Sequence, residues 1–138
     1  MEVAAASQVT PVSRRAIPLI VIADDDPDIL LLVQTRLERF GYQVVTARTG
    51  EEALEAITRF RPDVAVLDVR MPGMTGIDVI RHVRSDPDLH DLPIILLTAS
   101  ASGADVEVGY QAGATDYIPK PFSPQDLRAR VEILLGGA

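Results

Sequence analysis

Residues 62–76 read Pro-Asp-Val-Ala-Val-Leu-Asp-Val-Arg-Met-Pro-Gly-Met-Thr-Gly. Val64, Ala65, Val66 and Leu67 form a continuous apolar run, too short for an ordinary helix and bounded by Pro62 on one side. On the other side the chain turns through Pro72, Gly73 and Gly76. Such a run marks a strand buried on both faces, as in a parallel sheet. It ends in a carboxylate, Asp68. In open α/β sheets the chemistry gathers at the carboxyl ends of the strands, so Asp68 is the residue around which a site is expected.

Toward the N-terminus, residues 19–23 make the first buried strand. Asp24, Asp25 and Asp26 follow it, and Pro27 stands where the first turn of a helix should begin. Over residues 28–40 the apolar positions Ile29, Val33, Leu37 and Phe40 keep helical spacing, with Gly41 as the stop. Residues 44–47 predict a second strand. Thr49 and Glu52 match a capping box for a helix whose buried side includes Ala53, Ile57 and Phe60. The strand ending at Asp68 is the third.

Beyond it, Ile77, Ile80 and Val83 mark a helix that stops near residues 85–87, and residues 86–92 read as an exposed loop. Residues 93–98 are a fourth buried strand, residues 104–112 a looser helix ended by Gly113, and residues 115–118 a short fifth strand. Ser123 caps a last helix with Pro124 at its first position, running through Leu127, Val131 and Leu134. Strand and helix alternate five times, with short connections and no internal repeat. This predicts an α/β fold: a doubly wound, five-stranded parallel sheet of flavodoxin-like order 2-1-3-4-5, with five helices covering both faces. A closed eight-unit barrel would need nearly twice the length.

With 138 residues, 47% hydrophobic and 24% charged, the chain has the size and balance of one globular domain. Residues 1–17 are small and polar without periodicity and read as a disordered tail, leaving residues 18–138 as the folded domain. The absence of cysteine removes disulfides and thiolate metal sites and fits a cytoplasmic protein. No apolar run reaches the length of a membrane span, and no signal peptide is evident. A net charge of −7 argues against a nucleic-acid-binding surface.

The strand ends bring together Asp24 and Asp25 after the first strand, Asp68 after the third, Thr98 at the end of the fourth and Lys120 after the fifth. Like charges that close repel, and a hard divalent cation relieves them; an oxygen-only donor set suits Mg²⁺. One of the three consecutive aspartates serves as a cap, but three in a row with another across the sheet exceed what a cap requires. No cysteine or histidine stands among them, which argues against zinc. His82 and His90 read as solvated surface residues. Lys120 stands between Pro119 and Pro121, so its place is rigid, and a cis Lys-Pro bond is open to it. An ammonium there could hold a phosphoryl oxygen. Thr98 is of interest only for standing at the strand's end, since Thr is a good strand residue anyway.

Asp-Asp-Asp-Pro at 24–27, Leu-Asp-Val-Arg-Met-Pro-Gly-Met-Thr-Gly at 67–76, Leu-Thr-Ala at 97–99 and Gly-Ala-Thr-Asp-Tyr-Ile-Pro-Lys-Pro-Phe at 113–122 together resemble a bacterial two-component response-regulator receiver domain, over about residues 18–135. The resemblance implies that Asp68 accepts a phosphoryl group from a sensor histidine kinase or a histidine phosphotransfer protein. It further implies that Asp25 and Asp68 ligate Mg²⁺, with Asp24 acting mostly through water and the backbone carbonyl of Arg70 completing the protein ligands. Thr98 and Lys120 would hold the phosphoryl group, and Tyr117 would reorient as Thr98 moves. The expected output is a downstream protein partner met through the fourth helix, fifth strand and fifth helix, with a homodimer on phosphorylation also allowed. Direct nucleic-acid or membrane contact is not expected of this domain. Ala23 stands where a larger aliphatic is usual and Thr75 where the family often has Asp. Arg70 occupies a variable position thought to tune phosphoryl lifetime.

Two rivals differ in class. An aspartate-nucleophile phosphatase also uses strand-end carboxylates and Mg²⁺, but it normally has a second Asp two residues after the nucleophile, and position 70 is Arg. A phosphorylation-independent receiver-like binding module usually lacks part of the acidic pair, Thr or Lys set, none of which is lost here. The expectation is thus a phosphoacceptor signalling domain, not an enzyme beyond its own phosphorylation and dephosphorylation. The last residues, Gly136-Gly137-Ala138, leave open a stand-alone regulator or the front of a longer protein.

Overall fold

The computed structural model describes residues 16–99 and 103–136. Strands and helices alternate along them: β1 (Leu19–Ala23), α1 (Pro27–Arg39), β2 (Gln43–Ala47), α2 (Gly50–Phe60), β3 (Val64–Asp68), α3 (Gly76–Ser85), β4 (Ile94–Thr98), α4 (Gly103–Ala112), β5 (Asp116–Pro119) and α5 (Pro124–Leu134). The strands form one parallel sheet in the order 2-1-3-4-5, as the sequence predicts. Of the expected tail, residues 1–15 lie outside the described residues; Ala16 and Ile17 are exposed.

Every residue of β1, β3 and β4 is buried, because each strand feeds two cores by alternation. Val21, Ala23, Ala65, Leu67, Ile94 and Leu96 pack against α2 and α3 through Ala53, Ala56, Ile57, Val79, Ile80 and Val83. Their neighbours Ile20, Ile22, Val64, Val66, Ile95 and Leu97 pack against α1 and α5 through Leu30, Val33, Leu37, Leu127 and Val131. Gly109 of α4 lies so close to Leu96 that a Cβ there would meet its Cδ1 at 2.6 Å, which sets α4 on the α2–α3 face. Among the described residues no helix is long and apolar enough to cross a membrane.

Four local expectations need correction. Phe60 is 40% exposed, not buried: it is the last residue of α2, where the chain leaves through Arg61 at φ 48°, and its ring lies under the Arg59 guanidinium. Residues 86–92 are not wholly exposed, because hydrogen bonds from Leu89 N to Asp86 O and Leu92 N to Leu89 O coil the segment and tuck both leucines into the core. At α2, Thr49 Oγ1 does accept from Glu52 N, but the Glu52 carboxylate accepts from Arg48 N instead of Thr49 N, so the box is offset by one residue. The strand β5 begins one residue later than expected, although Thr115 still pairs with β4 through its N–H to Ile94 O.

Candidate functional site

Ala23 of β1 pairs with Leu67 of β3, so the next residues, Asp24 and Asp68, emerge side by side. Each comes one residue after a side chain facing α2 and α3, Ala23 or Leu67, so alternation carries both aspartates to the α1–α5 side. Asp24 is fully buried: its N–H donates to Ala47 O at 3.1 Å, and its Oδ1 accepts from Asp26 N at 3.0 Å. Asp26 spends its own carboxylate on capping α1, accepting from the N–H groups of Asp28 and Ile29. Asp25 is exposed. Oxygens of Asp24, Asp25 and Asp68 all lie within 4.8 Å of one another, an oxygen-only set that fits a hard divalent cation.

After Asp68 the chain folds back sharply. Gly76 N donates to Val69 O at 3.0 Å, and a Cβ at Gly76 would overlap the carbonyl oxygen of Asp68, so only glycine allows this approach. Arg70 N reaches Asp68 Oδ1 at 3.4 Å, while the Arg70 side chain is exposed. From β5, Lys120 enters through a cis bond to Pro121, and its N–H donates to Thr98 O at 2.7 Å. Its ammonium lies 2.7 Å from Asp24 Oδ2 and 3.1 Å from Asp68 Oδ2.

The charges shape one another. Burial, and then the charge of Asp24, push the Asp68 carboxyl above the ordinary carboxylate range, against the opposing pull of Lys120. Burial works against the Lys120 ammonium, but its bonds to Asp24 and Asp68 outweigh it and hold its pKa above the usual lysine value. Three carboxylates gather around one half-buried cation, and the pocket keeps net negative charge.

The structure thus brings Asp24, Asp25, Asp68 and Lys120 together. Thr98 is buried at the neighbouring strand end and joins them through its carbonyl bond to Lys120. Tyr117 stands apart: half-buried, it pairs with Leu96 in register and meets the Tyr110 ring edge-on at 5.7 Å. Thr98 and Tyr117 share the α4 side of the sheet by alternation. His82 and His90 are both exposed. One neighbour of the site escaped the sequence reading: Arg48 Nη2 lies 3.4 Å from the carbonyl oxygen of Asp25. Nothing in its local pattern distinguishes it from a surface arginine.

A family model described as "Response regulator receiver domain" matches residues 20–132. The chain is 43% identical over 116 residues to the alkaline phosphatase synthesis transcriptional regulatory protein PhoP of Bacillus subtilis, covering 84% of this chain and 48% of that protein. It is 40% identical over 116 residues to the DNA-binding response regulator MtrA of Mycolicibacterium smegmatis, covering 84% and 50%. The chain therefore spans about half the length of the curated relatives it matches. Among solved structures, the chemotaxis response regulator CheY4 of Vibrio cholerae is similar with a TM-score of 0.82 at 34% identity, covering 86% of this chain and 99% of that one. The receiver domain of the sensor histidine kinase PA1611 of Pseudomonas aeruginosa, solved with a magnesium ion coordinated in its active-site cleft, superposes with a TM-score of 0.81 at 31% identity, covering 88% and 99%.

Proposed function

The chain belongs to the response-regulator receiver family, and on that premise we propose that Asp68 is its phosphoacceptor, taking a phosphoryl group from the phosphohistidine of a sensor histidine kinase or phosphotransfer protein. The observation that carries this reading is the ammonium of Lys120 held between Asp24 and Asp68 at the mouth of a three-carboxylate cluster. An Asp68 oxygen attacks phosphorus in line; the P–O bond forms as the P–N bond breaks, and the electron pair returns to the imidazole nitrogen. Lys120 follows the transferred oxygens and offsets their charge. Buried Asp24 keeps Lys120 in place. Asp24, Asp25, Asp68 and the Arg70 carbonyl would hold Mg²⁺, which when bound would supply further charge stabilisation to the phosphoryl oxygens.

The switch follows from the same strand ends. Thr98 moves toward the phosphoryl group, and Tyr117, on the same side of the sheet, turns into the space it leaves. The surface of α4, β5 and α5 then changes for a downstream protein partner, or for a second copy of the chain. The domain acts in the cytoplasm as a signalling acceptor, and hydrolysis of the acyl phosphate resets it.

The test is incubation with acetyl phosphate, with and without Mg²⁺, followed by intact mass spectrometry. One phosphate is expected on the wild type, dependent on Mg²⁺ and absent from Asp68→Asn. Equal labelling of Asp68→Asn would overturn the assignment.

A further inference from the structure

We propose that Arg48 is a specificity-determining residue of this site, drawing anionic phosphodonors to its mouth; the inference rests on Asp68 being the acceptor. Arg48 follows Ala47, whose carbonyl accepts the Asp24 N–H at 3.1 Å, so the end of β2 is tied directly to the acidic loop. Its own N–H donates to Glu52 Oε1 at 2.9 Å, and Thr49 after it caps α2. The side chain therefore leaves a fixed base. From there it crosses to the Asp25 carbonyl, 3.4 Å from Nη2, and stays exposed at the rim.

The charge balance gives that position a use. Asp24, Asp25 and Asp68 against Lys120 leave two net negative charges, which a divalent cation would cancel and no more. An acyl phosphate arrives carrying about two negative charges at neutral pH, and a merely neutral pocket does not attract it. A guanidinium at the rim supplies the missing pull as a positive charge held in place. Arg70 is also exposed nearby, but among the described residues its side chain makes no hydrogen bond or ion pair that would hold it. Arg48 is the tethered one.

The experiment compares wild type, Arg48→Ala and Arg48→Lys, each checked for folding by circular dichroism, in saturating Mg²⁺. Initial labelling rates are measured against acetyl phosphate concentration at low and high ionic strength, and against phosphoramidate, which carries less negative charge. Arg48→Ala should lower the rate at limiting acetyl phosphate by about threefold to tenfold at low salt, with the gap closing at high salt. Arg48→Lys should recover most of it, and phosphoramidate should lose less. Wild-type rates in Arg48→Ala would overturn the inference while leaving the acceptor assignment standing. So would a salt-independent fall that Lys does not rescue, since that would mean only a structural bond to Asp25. A wild type labelled by neither donor would sink the acceptor assignment, and the inference with it.

Discussion

At the amino end of the sheet Arg84 spreads its guanidinium over backbone carbonyls, whereas at the carboxyl end Lys120 faces two carboxylates. Arg84 donates from Nε and Nη2 to Gly113 O at 2.9 and 2.7 Å, and from Nη1 to Leu92 O at 2.7 Å and His90 O at 2.9 Å. Burial holds its pKa below the usual arginine value. The fit is close enough that Gly113, at φ +116°, has no room for a side chain beside it. At the same end Asp63 is buried and accepts the Leu19 N–H at 2.7 Å. There, charge is met by peptide dipoles, and the bonds stitch α3 to the chain entering β4 and β5. At the carboxyl end charge meets charge and the balance stays negative. A matched charge holds a fold together; an unmatched cluster takes a ligand.

The largest expected effect tests the first half of that contrast. Arg84→Met removes four short charge-assisted bonds and leaves partly buried carbonyls without donors. It should cost about 2–3 kcal/mol in urea unfolding. Labelling by acetyl phosphate should persist under conditions where the variant is folded, because no Arg84 contact reaches the carboxylates. A variant as stable as the wild type would break the comparison.

A smaller effect of opposite sign is expected at the other end. The raised pKa of Asp68 means that the folded protein holds this proton to higher pH than the unfolded chain does. Ionised Asp68 therefore opposes folding at neutral pH, and acidification through the folded value toward the ordinary carboxylate range relieves the opposition. Asp68→Asn should then be more stable than wild type at neutral pH with EDTA present. Its advantage should shrink as the pH falls through the folded pKa of Asp68, and should also shrink when Mg²⁺ is added. A less stable Asp68→Asn in EDTA would mean that Lys120 already compensates the cluster.

The two ends were not equally legible in the sequence. The carboxyl end could be read because β1, β3 and β4 are apolar on both faces and each runs into a polar residue, Asp24, Asp68 or Thr98. Once β1 and β3 are neighbours, Asp24 and Asp68 must converge. Arg84 could not be read that way. Its acceptors lie up to 29 residues further along the chain and are backbone carbonyls, which carry no residue signature. Asp63 in Pro-Asp looks like an ordinary turn carboxylate until Leu19 comes to lie against it. Leu89 and Leu92 were hidden for a related reason, since the polar residues between them mask a coil that only the core selects. Tyr117 and Thr98 were placed correctly on their strands, yet their shared side of the sheet depends on register, which local pattern does not supply.

The smallest effect concerns the loop between the two halves of the site. Thr75 Oγ1 accepts from Asp78 N at 3.1 Å, and Asp78 Oδ2 accepts from Thr75 N at 3.1 Å, a reciprocal box that opens α3 immediately before the Gly76 contact with Asp68. Those bonds from Thr75 hold the Asp78 carboxyl below the ordinary carboxylate range. A depressed pKa contributes stability that is present above the unfolded value and lost as the pH falls through the folded one. Thr75→Ala should cost about 1 kcal/mol at neutral pH. The deficit of Asp78→Ala should narrow with acid across that window, whereas that of Arg84→Met should not, because carbonyl acceptors do not titrate there. Acid would then loosen the Thr75–Asp78 box at the start of α3 while the Arg84 bonds to backbone carbonyls persist. A pH-independent deficit in Asp78→Ala would show instead that its carboxylate contributes nothing to the cap.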